Sequence, residues 1–205
     1  MKRTIALIAC SALMATAFKP AWEEVSLEIG STAPKAGVKM KDVSGKTVSL
    51  NDAKKANGLL VMFSSNTCPY VIRNQGRTKD VCQFALKNKI GVILVNSNEA
   101  QRDYSDSYDA MKAYAQKQQY AWYYVIDKNA ELADAFAADR TPECFLFDKS
   151  MKLIYKGAID DHPGNAADVK EAYLVNAIKA NLAGKTVSPN ATASIGCNIK
   201  RKLYD

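Results

Sequence analysis

Histidine is almost missing from this chain: His162 is the single one in 205 residues. No Cys-x-x-Cys pair accompanies it, which leaves little basis for a zinc site. No Gly-rich loop follows an apolar strand pattern, so no nucleotide is indicated, and no metal or other cofactor is expected. The apolar runs fall short of the roughly 20 residues that a bilayer span needs. The Lys and Arg residues behind the formal charge of +7 are scattered, as at Lys39, Lys41, Lys46, Lys54 and Lys55, without interleaved aromatics. That pattern argues against nucleic acid as a partner and reads as a solvated surface, with Lys200-Arg201-Lys202 as a small basic cluster. No internal repeat is visible, and the length leaves no room for a second domain of ordinary size.

What is present begins with Met-Lys-Arg, an apolar run from Thr4 to Leu13, and Ala15-Thr16-Ala17. Charged, apolar and small residues in that order mark residues 1–17 as a secretory signal peptide cleaved after Ala17, which predicts a protein exported to the periplasm or secreted. Leu7-Ile8-Ala9-Cys10 also resembles a lipoprotein box. Acylation at Cys10 would tether the domain to a membrane, although the apolar stretch before it is short for such a signal. Cleavage removes Lys2 and Arg3 and takes the charge from +7 to +5, and four of the five cysteines remain. An oxidising compartment permits disulfides among them.

Residues 18–37, punctuated by Pro20, Gly30, Pro34 and Gly37, form an irregular lead-in. A domain over 38–183 opens with a hairpin that turns at Ser44-Gly45. Gly58–Phe63 and Ile90–Val95 are continuous apolar runs of the kind buried on both faces of a sheet. Between them a helical pattern runs from Pro69 to about Lys89, with Gly76 as a weak point. A helix from about Ser105 to Gln119, a strand at 122–126 and a short helix near 130–137 follow. Cys144–Phe147 and Leu153–Tyr155 suit an antiparallel hairpin, and a last helix over about 166–182 would cover the sheet with Leu174, Ile178 and Leu182. Residues 184–205 are a tail.

The informative position is Cys68, between a buried strand and the first turn of a helix. Unpaired backbone N–H groups and the positive end of the helix dipole meet there and favour a thiolate. Pro69 suits the first helical position, where an N–H would be unpaired anyway. A thiolate attacks peroxides and disulfides alike. Cys82 lies 14 residues further along the same predicted helix, about 21 Å away at 1.5 Å per residue, and a disulfide needs Cα atoms within about 7 Å. Its spacing against Thr78, Val81 and Ala85 makes it a core residue, and Cys144 on a strand is read the same way. Cys197, about 15 residues past the last predicted helix, has chain enough for roughly 50 Å and can reach Cys68. A disordered tail carrying an idle thiol fits that position equally. His162, in Asp160-Asp-His-Pro-Gly, reads as a surface loop residue.

Phe63-Ser-Ser-Asn-Thr-Cys-Pro-Tyr-Val71, then Arg140-Thr-Pro-Glu-Cys-Phe-Leu-Phe-Asp148, then Ser194-Ile-Gly-Cys-Asn-Ile-Lys200 resemble the thioredoxin and peroxiredoxin superfamily. More narrowly they are similar to its peroxiredoxin-like, redoxin-type branch, over residues 31 to 202. The resemblance implies an α/β thioredoxin-like three-layer sandwich with a mixed central sheet, an N-terminal hairpin and a C-terminal tail. It implies a cis Pro142 facing Cys68, and a site in which Cys68 is the nucleophile, Cys197 the resolving thiol, and Ser65, Thr67, Pro69, Tyr70, Thr141 and Pro142 shape the substrate surface. A thiol or disulfide protein, or a peroxide, is the expected partner.

The departures from the superfamily are specific. Val71 stands where thioredoxins place a second cysteine, and Val61 stands where peroxiredoxins place a proline. Ser65 keeps the hydroxyl position. Arg140 could supply the positive charge of a peroxide site or be an exposed loop residue. Arg201 replaces an expected aromatic residue, which predicts a more weakly docked tail. The main expectation is a thiol-based oxidoreductase acting through thiol–disulfide exchange or peroxide reduction. The alternative is a non-enzymatic binding module in which Cys68 and Cys197 form a structural disulfide.

Overall fold

Leu59–Phe63 form a fully buried strand, and the parity of their side chains divides the interior in two. Leu59, Val61 and Phe63 point into one apolar cluster, Leu60 and Met62 into another, as a period of two requires. The computed structural model describes residues 27–202. The signal peptide over 1–17, Cys10 and the start of the lead-in lie outside them.

In chain order the elements are β1 (Met40–Asp42), β2 (Thr47–Val48), α1 (Leu50–Ala53), β3 (Leu59–Phe63), α2 (Pro69–Lys87), β4 (Gly91–Asn96), α3 (Tyr108–Gln118) and β5 (Tyr123–Ile126). After these come α4 (Glu131–Phe136), β6 (Arg140–Thr141), β7 (Glu143–Phe147), β8 (Leu153–Gly157), α5 (Tyr173–Leu182) and β9 (Cys197–Asn198). Seven strands make one mixed sheet in the order β2-β1-β5-β4-β3-β7-β8. Strands β3, β4 and β5 are parallel, and β7, β8 and β1 run antiparallel to their neighbours. Helices α1 and α4 pack against one face and α2, α3 and α5 against the other. These are the three layers that the sequence predicts, with the hairpin, Gly45 at its turn in the left-handed region (φ 87°).

Three stretches differ from the sequence reading. The short α1 is unforeseen; a reciprocal cap makes it, Asp52 N–H donating to Ser49 Oγ while the Ser49 N–H donates to the Asp52 carboxylate. The last helix starts at Tyr173, not near 166. A single 3-10 turn occupies Ala166–Asp168, after which the Lys170 N–H goes to Asp161 Oδ1 and the Glu171 carbonyl accepts from the Asp161 N–H. Backbone groups that a helix would use are therefore spent on the neighbouring loop. Leu174 and Ile178 are fully buried as expected, whereas Leu182 is 37% exposed.

The tail is the third. It is held to the domain along its described length: Ala191 bridges Lys156 beside β8, Thr192 Oγ1 accepts the Ala158 N–H at 3.0 Å, and β9 pairs antiparallel with β6. Ile199 is buried in the same cluster as Phe63 and Phe136. Arg201 does not weaken this docking. Its guanidinium reaches Asp134 at 2.8 Å, Asp139 at 3.0 Å and the Ala138 carbonyl at 2.7 Å, so charge replaces the apolar contact expected there.

Candidate functional site

The site is built where β3 ends. Phe63, its last residue, is held edge-on by Phe136 and Phe145 at 5.6 and 5.7 Å between ring centroids, and the Ser64 N–H donates to the Val95 carbonyl. The chain then turns through Ser65-Asn66-Thr67 to Cys68, the N-cap of α2, with Pro69 at the first helical position. Ser65 Oγ accepts from the N–H groups of Thr67 at 3.2 Å and Cys68 at 3.3 Å. Thr67 and Pro69 are exposed, Tyr70 half-buried, and Cys68 only 3% exposed.

Opposite Cys68 stands the Thr141-Pro142 peptide, which is cis. The Cys68 thiol donates to the Thr141 carbonyl at 3.0 Å. Register does the rest: in the β6–β9 ladder Cys197 pairs with Thr141, the residue whose carbonyl accepts from Cys68, so both cysteines stand against the same residue. Gly196 permits the approach, because a Cβ there would lie 2.2 Å from the Thr141 carbonyl oxygen. Both cysteines are free thiols in this structure. The structure thus brings together Cys68, Cys197, Ser65, Thr141 and Pro142, with Thr67, Pro69 and Tyr70 around them.

The two thiols are electrostatically unequal. Burial pushes the Cys68 thiol up, but the side chains of Cys197 and Thr141 and the Val71 N–H outweigh it and leave the group below its ordinary value. Cys197 is pushed up by burial and by the neighbouring sulfur of Cys68, against a smaller opposing bond from the Tyr70 N–H. The shifts run in opposite directions, down at Cys68 and up at Cys197. Val71, standing in the place of a second cysteine, contributes through its backbone. Cys82 and Cys144 are fully buried in the core, their thiols raised by desolvation.

Arg140 lies on β6 with its guanidinium on the Asn198 side-chain oxygen, and so serves the tail. His162 is at the surface, its ring accepting from the Asn165 N–H. Among the described residues no group of His, Cys, Asp and Glu is arranged to hold a metal.

Sequence reasoning missed the layer behind the thiol loop. Asp106, fully buried, accepts from Ser65 Oγ at 3.3 Å, the Asn66 N–H at 2.9 Å, and Asn96 Nδ2 and Asn98 Nδ2 at 2.8 Å each. Tyr124 Oη donates to Asn66 Oδ1 and accepts from Asn96 Nδ2. Arg102 donates to the carbonyls of Asp106 and Asn96. The available signal was the triplet Asn96-Ser97-Asn98 placed directly after an apolar strand, where polar side chains enter a buried site only if partners wait for them.

The Redoxin family model matches residues 28–174. The chain belongs to the redoxin family. No curated protein matches this redoxin, but solved structures do. An uncharacterized conserved protein from Geobacillus kaustophilus is 31% identical, covers 87% of this chain and 94% of its own, and superposes with a TM-score of 0.80. A hypothetical protein from Sinorhizobium meliloti is 33% identical, with 87% and 97% covered and a TM-score of 0.79. A putative thiol:disulfide interchange protein from Chlorobium tepidum, at 20% identity, 77% and 99% coverage and a TM-score of 0.59, shares the fold. This redoxin has the thioredoxin-like fold that its motifs imply, and its family supports a thiol-based redox role.

Proposed function

We propose that this redoxin is a thiol oxidoreductase in which Cys68 attacks and Cys197 resolves. The observation that carries the reading is that Cys68, at the N-terminus of α2, and Cys197, on β9, both stand against Thr141, the first bonded to its carbonyl and the second paired with it in the ladder, with the Cys68 thiol shifted down and the Cys197 thiol up. With a disulfide substrate, the Cys68 thiolate attacks one sulfur, releases the first thiolate and forms a mixed disulfide. Cys197 then loses its proton, attacks the Cys68 sulfur and expels the second thiolate. With hydrogen peroxide, Cys68 takes one oxygen to become the sulfenic acid, releasing water after proton transfer, and Cys197 displaces a second water. Both routes end in a Cys68–Cys197 disulfide, which an external dithiol must reduce. Ser65 fixes the loop, Thr141 and Pro142 form the opposing wall, and Thr67, Pro69 and Tyr70 form the exposed rim that an incoming substrate meets.

The test is to expose the reduced full chain to one equivalent of hydrogen peroxide or of a small disulfide and to map cysteine pairs by mass spectrometry against time. Rapid appearance of the Cys68–Cys197 pair is expected, and the faster oxidant names the substrate class. A Cys68 that reacts with either oxidant no faster than an ordinary free thiol would favour the binding module instead.

A further inference from the structure

The assembly behind the thiol loop has a topology that the redox chemistry does not yet use. From the single carboxylate of Asp106 two chains of hydrogen bonds run in different directions. One passes through Ser65: its hydroxyl donates to Asp106 Oδ2 at 3.3 Å, which leaves the oxygen's lone pairs for the N–H groups of Thr67 and Cys68. The other passes through Asn98, whose amide donates to Asp106 Oδ2 at 2.8 Å while its carbonyl oxygen accepts the Lys200 N–H at 2.8 Å. Lys200 is three residues beyond Cys197, and its own carbonyl accepts the Ala100 N–H at 2.9 Å.

We infer that Asp106 is a positioning residue that sets the approach of the two thiols, holding the Cys68 loop through Ser65 and the Cys197 tail through Asn98. The inference rests on the reading of Cys68 and Cys197 as a redox pair. Saturation of the carboxylate makes the case specific. Oδ1 accepts two donors, Asn66 N–H and Asn96 Nδ2, and Oδ2 accepts two, Ser65 Oγ and Asn98 Nδ2. A carboxylate offers about four acceptor sites and no donor when ionised, so donors occupy them all. Asparagine has the same shape but turns one of those atoms into an NH2 group. Whichever way it is oriented, that group faces two donors.

The experiment measures the equilibrium between the Cys68–Cys197 dithiol and disulfide against a glutathione redox couple in the folded full chain, which gives the effective concentration of one thiol at the other. Asp106→Asn is expected to lower it about ten- to a hundredfold, the size expected for hydrogen bonds lost from a charged acceptor. Combining Asp106→Asn with Asn98→Asp exchanges donor and acceptor on the tail arm while leaving an oxygen for Lys200, and is expected to recover most of the loss. Should Asp106→Asn not fold, Asn98→Ala is expected to lower the effective concentration while the alkylation rate of Cys68, read in a Cys197→Ser background, stays unchanged. A wild-type pair that never forms the disulfide would refute the redox-pair reading. A wild-type disulfide whose effective concentration is unaltered by the variants overturns the role of Asp106 alone, as does a double variant lower than Asp106→Asn.

Discussion

Replacing Gly196 by alanine tests whether the tail's proximity, rather than the mere presence of a second thiol, sets the chemistry. The added Cβ would stand 2.2 Å from the Thr141 carbonyl oxygen and 2.7 Å from its carbon. Ordinary carbon–oxygen contacts begin near 3.3 Å, so the two backbones must part by about 1 Å. The neighbour is main chain in a paired strand, beside Pro142, and has no rotamer by which to yield. Ile199 and Arg201 keep their anchors further along, so the tail bows locally instead of leaving, and the sulfur of Cys197 moves off the line of attack on Cys68. A misplacement of about 1 Å in a reacting group can cost about a hundredfold in rate. Stopped-flow oxidation followed by acid trapping separates the two steps. Gly196→Ala should attack the oxidant somewhat more slowly, as Cys197 draws back from the Cys68 thiolate it stabilises, but close the Cys68–Cys197 disulfide about a hundredfold more slowly, with the unresolved intermediate accumulating. Closure at the wild-type rate in a folded variant would refute the argument from proximity.

Other outcomes follow from the same geometry. Arg201→Ala removes two half-exposed ion pairs and a bond to the Ala138 carbonyl; surface pairs are worth about 0–1 kcal/mol each, so amide exchange at Ile199 should speed up about fivefold, and high salt should narrow the difference. Cys197→Ala takes away the foremost stabiliser of the Cys68 thiolate, so the pH profile of Cys68 alkylation should move toward alkaline values and its rate at neutral pH should fall. In the reduced wild type the depressed Cys68 pKa contributes stability that is present above the ordinary thiol value and lost as pH falls through the folded one; denaturant midpoints measured across that range should show a smaller loss in Cys197→Ala. Native-state alkylation should label Cys68 and Cys197 while sparing Cys82 and Cys144, which label only on unfolding; early modification of Cys82 would contradict its place in the core.

The strands, the order of helix and strand around Cys68, and the two core cysteines can be read from the chain because apolar runs and helical spacing report burial directly. Cys82 falls at helical spacing from Thr78 and Ala85 and is buried with them. The start of the last helix cannot be read, since only hydrogen bonds from Asp161 and its loop decide that residues 169–172 stay extended. Asp106 is invisible for a related reason. It sits in a polar stretch without periodicity, and nothing in its neighbours along the chain reveals that Ser65, 41 residues earlier, will meet it. Arg201 reads as a loss in sequence because an aromatic contact and an ion pair leave different marks there while filling the same place; the two aspartates that receive it are apart from it by 67 and 62 residues.

Cys197 lies neither at a loose end nor in a rigid strand of the main sheet. Upstream, Thr192 is tied to Tyr155 and Ala158; downstream, Ile199 and Arg201 are tied to the α4 side. The thiol therefore rides at mid-span of a strap fastened at both ends. Anchors on both sides limit how far the half-buried Cys197 can be carried from Cys68. A cut between Cys197 and Ile199 would change the mode altogether, leaving every residue in place upstream while turning a spring into a flap.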